Sequence, residues 1–475
     1  AAYNAAAGTV VLDGRAGDQT NYVQGEVWVG GTTSSGASMI LSNTILNSSS
    51  WVAVGRGNGD SDFLSTLRLE DSTINIGSGG FSAGFDADLP LNAGIMVQAR
   101  QQITLSGNSA LNVADGRIFI AERRGSTASV LLKGNSRMTN SLNASVAVAA
   151  GGSIAGATGA VEIAESALWR VGSHFSLANE GGVASMVVKD SGTFIAGTDL
   201  NVTDVGPCTA TLIAQDNAYV EANIIFVGKD DDAVGVFNIT NNATVVARSG
   251  VIMGRHWQGY AVTPILAEIN LSGGSLAAGF IEGTETNGVF QGTLNLNGGR
   301  LIARNANNTN FMFNLAAANV LAGGVVFDTE ANTVWVSQPL LNGGGGGGLT
   351  KLGSGTLLLN GANTYTGPTT VSEGALGGIG VIAGPVNVQA GGTLAPGTSI
   401  GTLTINNTLT LAGTTVMEIS RDSGAPASDL VTGVTTLTYG GTLNVVNIGT
   451  NALQVGATFQ LFNASTIAPA TFAEV

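Results

Sequence analysis

The sequence is poor in the residue types on which most site chemistry depends. Among 475 residues there is one cysteine, Cys208, and there are two histidines, His174 and His256. A single thiol excludes an intrachain disulfide and a cysteine-based metal site. It does not exclude export, because a chain of this length can bury a core that needs no covalent staples. Charged residues make up 11% of the chain, against about a quarter in an average globular protein. The 18 Lys and Arg are scattered, no basic run exceeds Arg123-Arg124, and the net charge is −14. Phosphate binding needs clustered cations, so no nucleic-acid partner is expected. No apolar run reaches the roughly 18 residues that would span a membrane as a helix. No amphipathic helical period of useful length occurs, nor a Ser-His-Asp order, a phosphate loop or a His-Glu-x-x-His pair.

What is abundant is glycine, 70 residues or about twice the usual share, within a chain that is 44% apolar. Residues 1 to 305 repeat one pattern: apolar positions, a polar turn, then more apolar positions. Thr66–Ile74, Ile103–Leu111, Val130–Met138, Val161–Leu168, Met186–Phe194, Leu212–Val220, Phe237–Val245, Ile269–Leu276 and Leu294–Leu301 all follow it. Their turns fall at 71, 108, 135, 165, 190, 216, 241, 273 and 298, a base step near 25 with insertions. A third apolar run precedes many copies, as at 51–54, 118–121, 146–149, 224–227 and 251–253. Three strands per ~25 residues predict an all-β chain, a right-handed three-sided parallel β-helix with about 25 residues per coil. Asn and Gly at the turns accept left-handed backbone angles. The insertions at 55–63, 229–235 and 254–264 each follow an apolar residue, Gly and a base, so all three should leave from one edge.

A hexaglycine at 343–348 marks a boundary between an N-terminal solenoid block, 1–342, and a C-terminal one, 349–475. The stretch from Leu349 to Gly378 holds three short apolar runs, each closed by a turn: Gly353 and Gly355, Asn360-Gly361, Gly367-Pro368, Gly374. It resembles the autotransporter-associated β-strand repeat through Lys351, Gly353, Gly355, Thr356, Leu357, Leu359, Gly361, Asn363, Thr364, Tyr365, Gly367, Thr369 and Val371. It departs at Pro368 and at Ala375-Leu376, outside the strand positions. The stretch 391–405 resembles the segment that commonly follows in such passengers. The resemblance implies a β-solenoid exported to the bacterial cell surface, and it brings no catalytic motif with it.

Few clusters could carry chemistry. Asn58, Asp60 and Asp62 alternate like the start of a Ca2+ loop, but the sixth position is Phe63 and the twelfth Leu69, so an EF-hand is excluded and only an irregular loop remains. Asp230-Asp231-Asp232 could offer carboxylates, although three adjacent acids do not converge on one point unaided. Arg255, His256, Trp257 and Tyr260 put a cation, an imidazole and two rings in one loop, a candidate contact for a partner or a surface glycan. No cofactor is expected, and no enzyme. The chain opens Ala1-Ala2-Tyr3-Asn4 without a leader, which reads as an end left after signal removal.

The expected function is therefore a secreted structural or adhesive β-solenoid, extracellular on the bacterial cell surface. Thr9, Val10, Val11 and Leu12 at one end and Thr471, Phe472 and Val475 at the other read as strand edges. They could pair head to tail between copies of the chain and build a homopolymeric fibre. Two readings compete with the fibre: a glycan-binding adhesin passenger, and a carbohydrate-active β-helix enzyme. The enzyme would need two carboxylates about 5–10 Å apart in one groove.

Overall fold

A computed structural model describes residues 3–5, 8–14, 19–30, 36–55, 64–83, 100–122, 125–148, 156–230, 232–255, 265–286, 289–422 and 425–475. Among them there is no helix, and the secondary structure is strand. The chain forms two compact units. One comprises 1–248, 252–269 and 284–292; the other comprises 249–251, 270–283 and 293–475.

In the first unit three parallel sheets are built by strands that succeed one another in every coil. Thr158–Ile163, Val183–Val188 and Thr209–Ala214 are neighbours in the first sheet. Leu168–Val171 and Thr193–Ala196 lie side by side in the second. Phe175–Ala178 and Asp199–Thr203 do so in the third. This is a β-solenoid with three strands to the coil. The strands of the first two sheets alternate buried and open positions, as the period of two requires, whereas Phe175–Ala178 is buried at all four positions and Asp199–Thr203 at four of five. Register then stacks like on like: Val161, Met186, Leu212 and Phe237 form one inward column, and Ile163, Val188, Ala214 and Ile239 a second. All eight are buried, and each large apolar side chain so buried contributes about 1.5–3 kcal/mol. Trp169, Phe175 and Phe194 fill the same core edge to face, with centroids 4.7 to 5.9 Å apart.

The turns expected from the sequence have a common backbone signature. Positive φ occurs at Asp71, Gly107, Gly134, Glu165, Asp190, Asp216, Asn241, Gly273 and Gly298, at or next to every predicted turn position. A left-handed residue costs little when it is Gly, Asn or Asp, which explains why those types recur there. Outward-facing amides add a second periodic feature: Asn75 donates to Asn47 at 2.8 Å, Asn112 to Asn75 at 3.0 Å, and Thr139 to Asn112 at 2.9 Å.

The second unit uses the same parallel stacking, for example Val325–Asp328 beside Leu349–Leu352 and that beside Thr369–Val371. The hexaglycine is stitched into it. Gly343 N donates to Val320 O, and Gly347 O accepts from Gly367 N. A Cβ at Gly347 would sit 1.7 Å from Leu321 O, so this backbone passage is closed to any other residue. Four polar residues of the 349–378 motif, Lys351, Asn363, Tyr365 and Thr369, point inward. Lys351 Nζ donates to the carbonyls of Leu352, Gly353 and Glu373 at 2.8 to 3.1 Å. Asn363 bonds Gly361 O, Val381 O and Leu340 N. The Tyr365 hydroxyl meets Thr369 Oγ1 at 2.6 Å. Lys351 and Asn363 thus supply donors to carbonyls that would otherwise be buried without one.

Candidate functional site

The predicted Ca2+ candidates Asn58, Asp60 and Asp62 lie outside the described residues, as do Asp231, His256, Trp257 and Tyr260. The described neighbours of those loops serve the backbone. Asp230 and Asp232 adopt positive φ. Asp230 N donates to Arg255 O at 2.7 Å, and its carboxylate accepts from Gly206 N at 3.2 Å. Arg255 lays its guanidinium 5.4 Å from the centre of the Phe226 ring, and Lys229 Nζ is 5.3 Å from the same ring. Lys229 also reaches Asp204 at 2.6 Å, where Ser176 Oγ and Asn201 Nδ2 converge on the other carboxylate oxygen. The strand ends that feed the 229–235 and 254–264 insertions are thus adjacent, joined by the Asp230–Arg255 bond. His174 faces the Asn143 amide at 3.3 Å. Burial pushes the Cys208 thiol up to about 12, which keeps it protonated and inert.

The proposed assembly residues are placed as follows. Thr9, Val10, Val11 and Leu12 belong to Gly8–Asp13, which pairs with Ala37–Ser42 along one side, with Val11 exposed. Thr471, Phe472 and Val475 are brought together in a groove of about 630 Å3 with Tyr439 and Phe462. The Tyr439 ring stands 5.6 Å from Phe462 and 4.7 Å from Phe472. Burial raises the Tyr439 hydroxyl above its ordinary range.

Two clefts were not legible in the sequence. The first, about 560 Å3, belongs to the first unit and is lined by Trp51 and Phe119 together with Glu26, Asp115, Glu122 and Arg117. Trp51 lies flat against the chain of the next coil: a Cβ on Gly79 or on Gly80 would come within 2.7 Å of its ring. The glycine pair therefore seats the indole as a fixed wall. Ser82 Oγ holds Glu122 at 2.5 Å, and Trp28 Nε1 holds Glu26 at 2.6 Å. A planar ring beside oriented carboxylates suits the apolar face and hydroxyl rim of a sugar. The only sequence signal for it was a Gly-Gly pair one coil from a tryptophan.

The second cleft, about 280 Å3, belongs to the second unit, with Trp335, Leu358 and Pro396 opposite Glu418 and Asp429. Burial, with a smaller contribution from the neighbouring Glu418 carboxylate, raises Asp429, against the backbone N–H groups of Glu418 and Gly401. Those two donors occupy both Asp429 oxygens, at 2.7 and 2.9 Å. The residue acts as a clamp across the short antiparallel pair Thr414–Ser420 and Ala427–Ser428.

Comparison with known proteins agrees with this picture. Residues 349–377 match the passenger-associated-transport-repeat family. The chain is 29% identical over 180 residues to an adhesin, the BmaC autotransporter of Brucella suis biovar 1 (strain 1330), covering 35% of this chain and 5% of the adhesin. It is also similar to extracellular serine proteases of Serratia marcescens, at 43% over 76 residues and 46% over 57, each covering 12% of this chain and 6 or 7% of the protease. The chain thus spans well under a tenth of the length of these relatives, and matches of that extent carry no active site across. No solved structure matches. With its stacked parallel coils and its buried Lys351–Tyr365 motif, the chain carries a passenger-associated-transport repeat and is similar over part of its length to an autotransporter adhesin.

Proposed function

We propose that the chain is part of a secreted passenger displayed on the bacterial cell surface, with an adhesive and structural role and no catalysis of its own. The observation that carries this reading is the Trp51 cleft, an open aromatic and carboxylate surface held on a stiff stack of strands. Its ligand class is a glycan with exposed hydroxyls, stacked on Trp51 and bonded by Glu26 and Glu122. The test is binding of the purified chain to immobilised neutral oligosaccharides. Trp51→Ala should reduce retention at least tenfold, while leaving the far-ultraviolet circular dichroism unchanged. Equal retention by the variant would discard the site.

A second reading, association of copies into a fibre, is favoured by the aromatic groove formed by Tyr439, Phe462 and Phe472. An apolar groove of this size gains by being covered. Strand Gly8–Asp13 of a second copy is the proposed occupant, setting its exposed Val11 against these rings. Light scattering on rising concentration should give growing particles for the parent chain and none for Phe472→Ser. A parent chain that stays monomeric would end this reading and leave the adhesive one standing.

A further inference from the structure

We propose that the outer face of the second sheet in the first unit carries a binding site for an acidic saccharide, with Arg137 and Arg170 as its anion-recognising pair. The inference rests on the adhesive reading and names a second ligand class for it.

Both arginines are exposed, each alternating with buried neighbours in its strand, Arg137–Asn140 and Leu168–Val171. Register pairs Arg137 with Leu168 and Thr139 with Arg170. One step across the sheet and two residues along it separate their Cα atoms by about 8 Å, from the ordinary strand spacing and rise. They flank one cleft of about 590 Å3, whose other walls include Asn135, Thr193, Leu168 and Ile195.

The cleft is cationic in an acidic chain. The chain holds 18 cations and a net charge of −14, and four other cations of this unit are committed: Lys189 to Glu162, Lys229 to Asp204, Arg248 to Glu221 and Arg68 to Glu70. Among the described residues, neither Arg137 nor Arg170 takes part in an ion pair. The nearest acid along the column from Arg170 is Glu221, two coils on through Ile195. It is already bonded by Arg248 and by the Tyr219 hydroxyl. The Arg170 charge reaches Glu221 only at a distance, and two guanidinium forks outside any ion pair are placed to take up carboxylate or sulfate oxygens in pairs.

The rest of the cleft narrows the ligand class. Asn135 and Thr193 offer short polar groups of the kind that bond ring hydroxyls, and Leu168 and Ile195 offer apolar surface for the C–H face of a sugar ring. Net charge argues against a long polyanion such as nucleic acid. At physiological salt the screening length is about 8 Å, so a short chain feels the two arginines while a long one also meets the acidic surface around them. A saccharide with an anionic group on neighbouring units matches both the spacing and the field.

The experiment is calorimetric titration of the full chain with three probes: a sulfated heparin-derived tetrasaccharide, a tetragalacturonate and a neutral tetrasaccharide. Binding of at least one acidic probe, weakening with added NaCl, is expected, together with at least tenfold weaker binding by Arg137→Gln/Arg170→Gln. Which acidic probe binds separates sulfate from carboxylate recognition. Arg137→Lys/Arg170→Lys should bind with intermediate strength, since the charge remains but the fork is lost. Trp51→Ala should bind the acidic probes like the parent. Undiminished binding by the glutamine variant, or no acidic binding by the parent, overturns the proposal. If the neutral probe alone binds, through Trp51, the adhesive reading survives without this site. If no probe binds, both fall.

Discussion

Residues 158–241 and residues 349–394 stack coils of different length. In the first stretch Thr158 lies beside Val183 and Leu168 beside Thr193, steps of 25. In the second Leu349 lies beside Thr369 and Thr369 beside Val386, steps of 20 and 17. The longer coil has room for exposed turns, and it satisfies them from outside. Glu165 accepts from Gly134 N, Asp190 from Glu165 N and Asp216 from Asp190 N, each across one coil. Asn241 then donates to Asp216. The shorter coil keeps such an acid at one corner, where Glu373 accepts from Gly353 N across one coil at 3.3 Å. Its corner carbonyls point inward, and a buried lysine, an asparagine and a tyrosine bond to them or fill the space beside them. Corner polarity in the long coils is met by solvent-side acids, and in the short coils mainly by buried donors. The two kinds of corner should differ in which substitutions hurt.

The largest expected effect lies in the long-coil core. Trp169→Ala removes a fully buried indole from the Phe175–Phe194 cluster and should cost about 3–5 kcal/mol by urea denaturation. A cost under about 1 kcal/mol would mean that the aromatic cluster is not what fills those coils.

Next comes a test that separates the corners. Gly374 has φ +63, and a Cβ there would sit 2.3 Å from Gly355 O and 2.4 Å from Gly353 O. Gly374→Ala should therefore cost about 3 kcal/mol, combining overpacking with backbone strain. An effect as small as that of a long-coil turn substitution would erase the distinction.

Lys351→Met tests the buried donor. It leaves the carbonyls of Leu352, Gly353 and Glu373 without their ammonium partner, at a cost of about 2 kcal/mol near neutral pH. Burial lowers Lys351 from 10.5 to about 8, with Asp328 and Glu373 acting the other way. A lysine lowered on folding is shed of its proton first in the folded state. Between about pH 8 and 10.5 the unfolded chain binds more protons, so stability of the parent should rise with pH across that window. Chemical denaturation at pH 7 and 9.5 should show that rise in the parent and not in Lys351→Met.

The smallest effect belongs to the exposed ladder. Asp190→Ala loses one cross-coil hydrogen bond and places alanine at φ 55, for about 1 kcal/mol. Asp190→Asn keeps an acceptor oxygen and a residue tolerant of that φ, and should melt within a degree or two of the parent. Asp216 is held below its ordinary range by Asn241, then by the Asp190 backbone N–H and Gln215. Its contribution is present above pH 3.8 and is lost as pH falls further, a loss absent in Asp216→Asn.

Much of the solenoid was legible because two local rules operate at every coil. Positive φ restricts the turn residue to a few types, so Asp71, Asp190, Asp216 and Asn241 could be found by eye. Strand alternation requires Val161-x-Ile163 and Met186-x-Val188 to face the core in step. The candidate sites were less legible. Asn58, Asp60, Asp62, His256, Trp257 and Tyr260 stood out because charge and rings cluster there in sequence, yet the described clefts draw on residues far apart in the chain. Trp51 meets Gly79 and Gly80, and Glu418 meets Asp429 and Trp335. Such proximities come from register, and a stack of coils puts residues tens of positions apart at one strand spacing.

What the sequence by itself determined is the repeating element: three strands, a left-handed corner and an inward apolar column, each set by interactions within a few residues. What only the tertiary structure decided is the direction and company of the polar side chains. Lys351 looks like a surface cation in any local reading, and it is buried because three carbonyls of a short coil converge there. Arg137 and Arg170 look like scattered charges, and they share one cleft because the coils stack Arg137 on Leu168 and Thr139 on Arg170. Local rules fix the backbone, while the offset between coils, which depends on the length of every intervening turn, fixes which side chains meet.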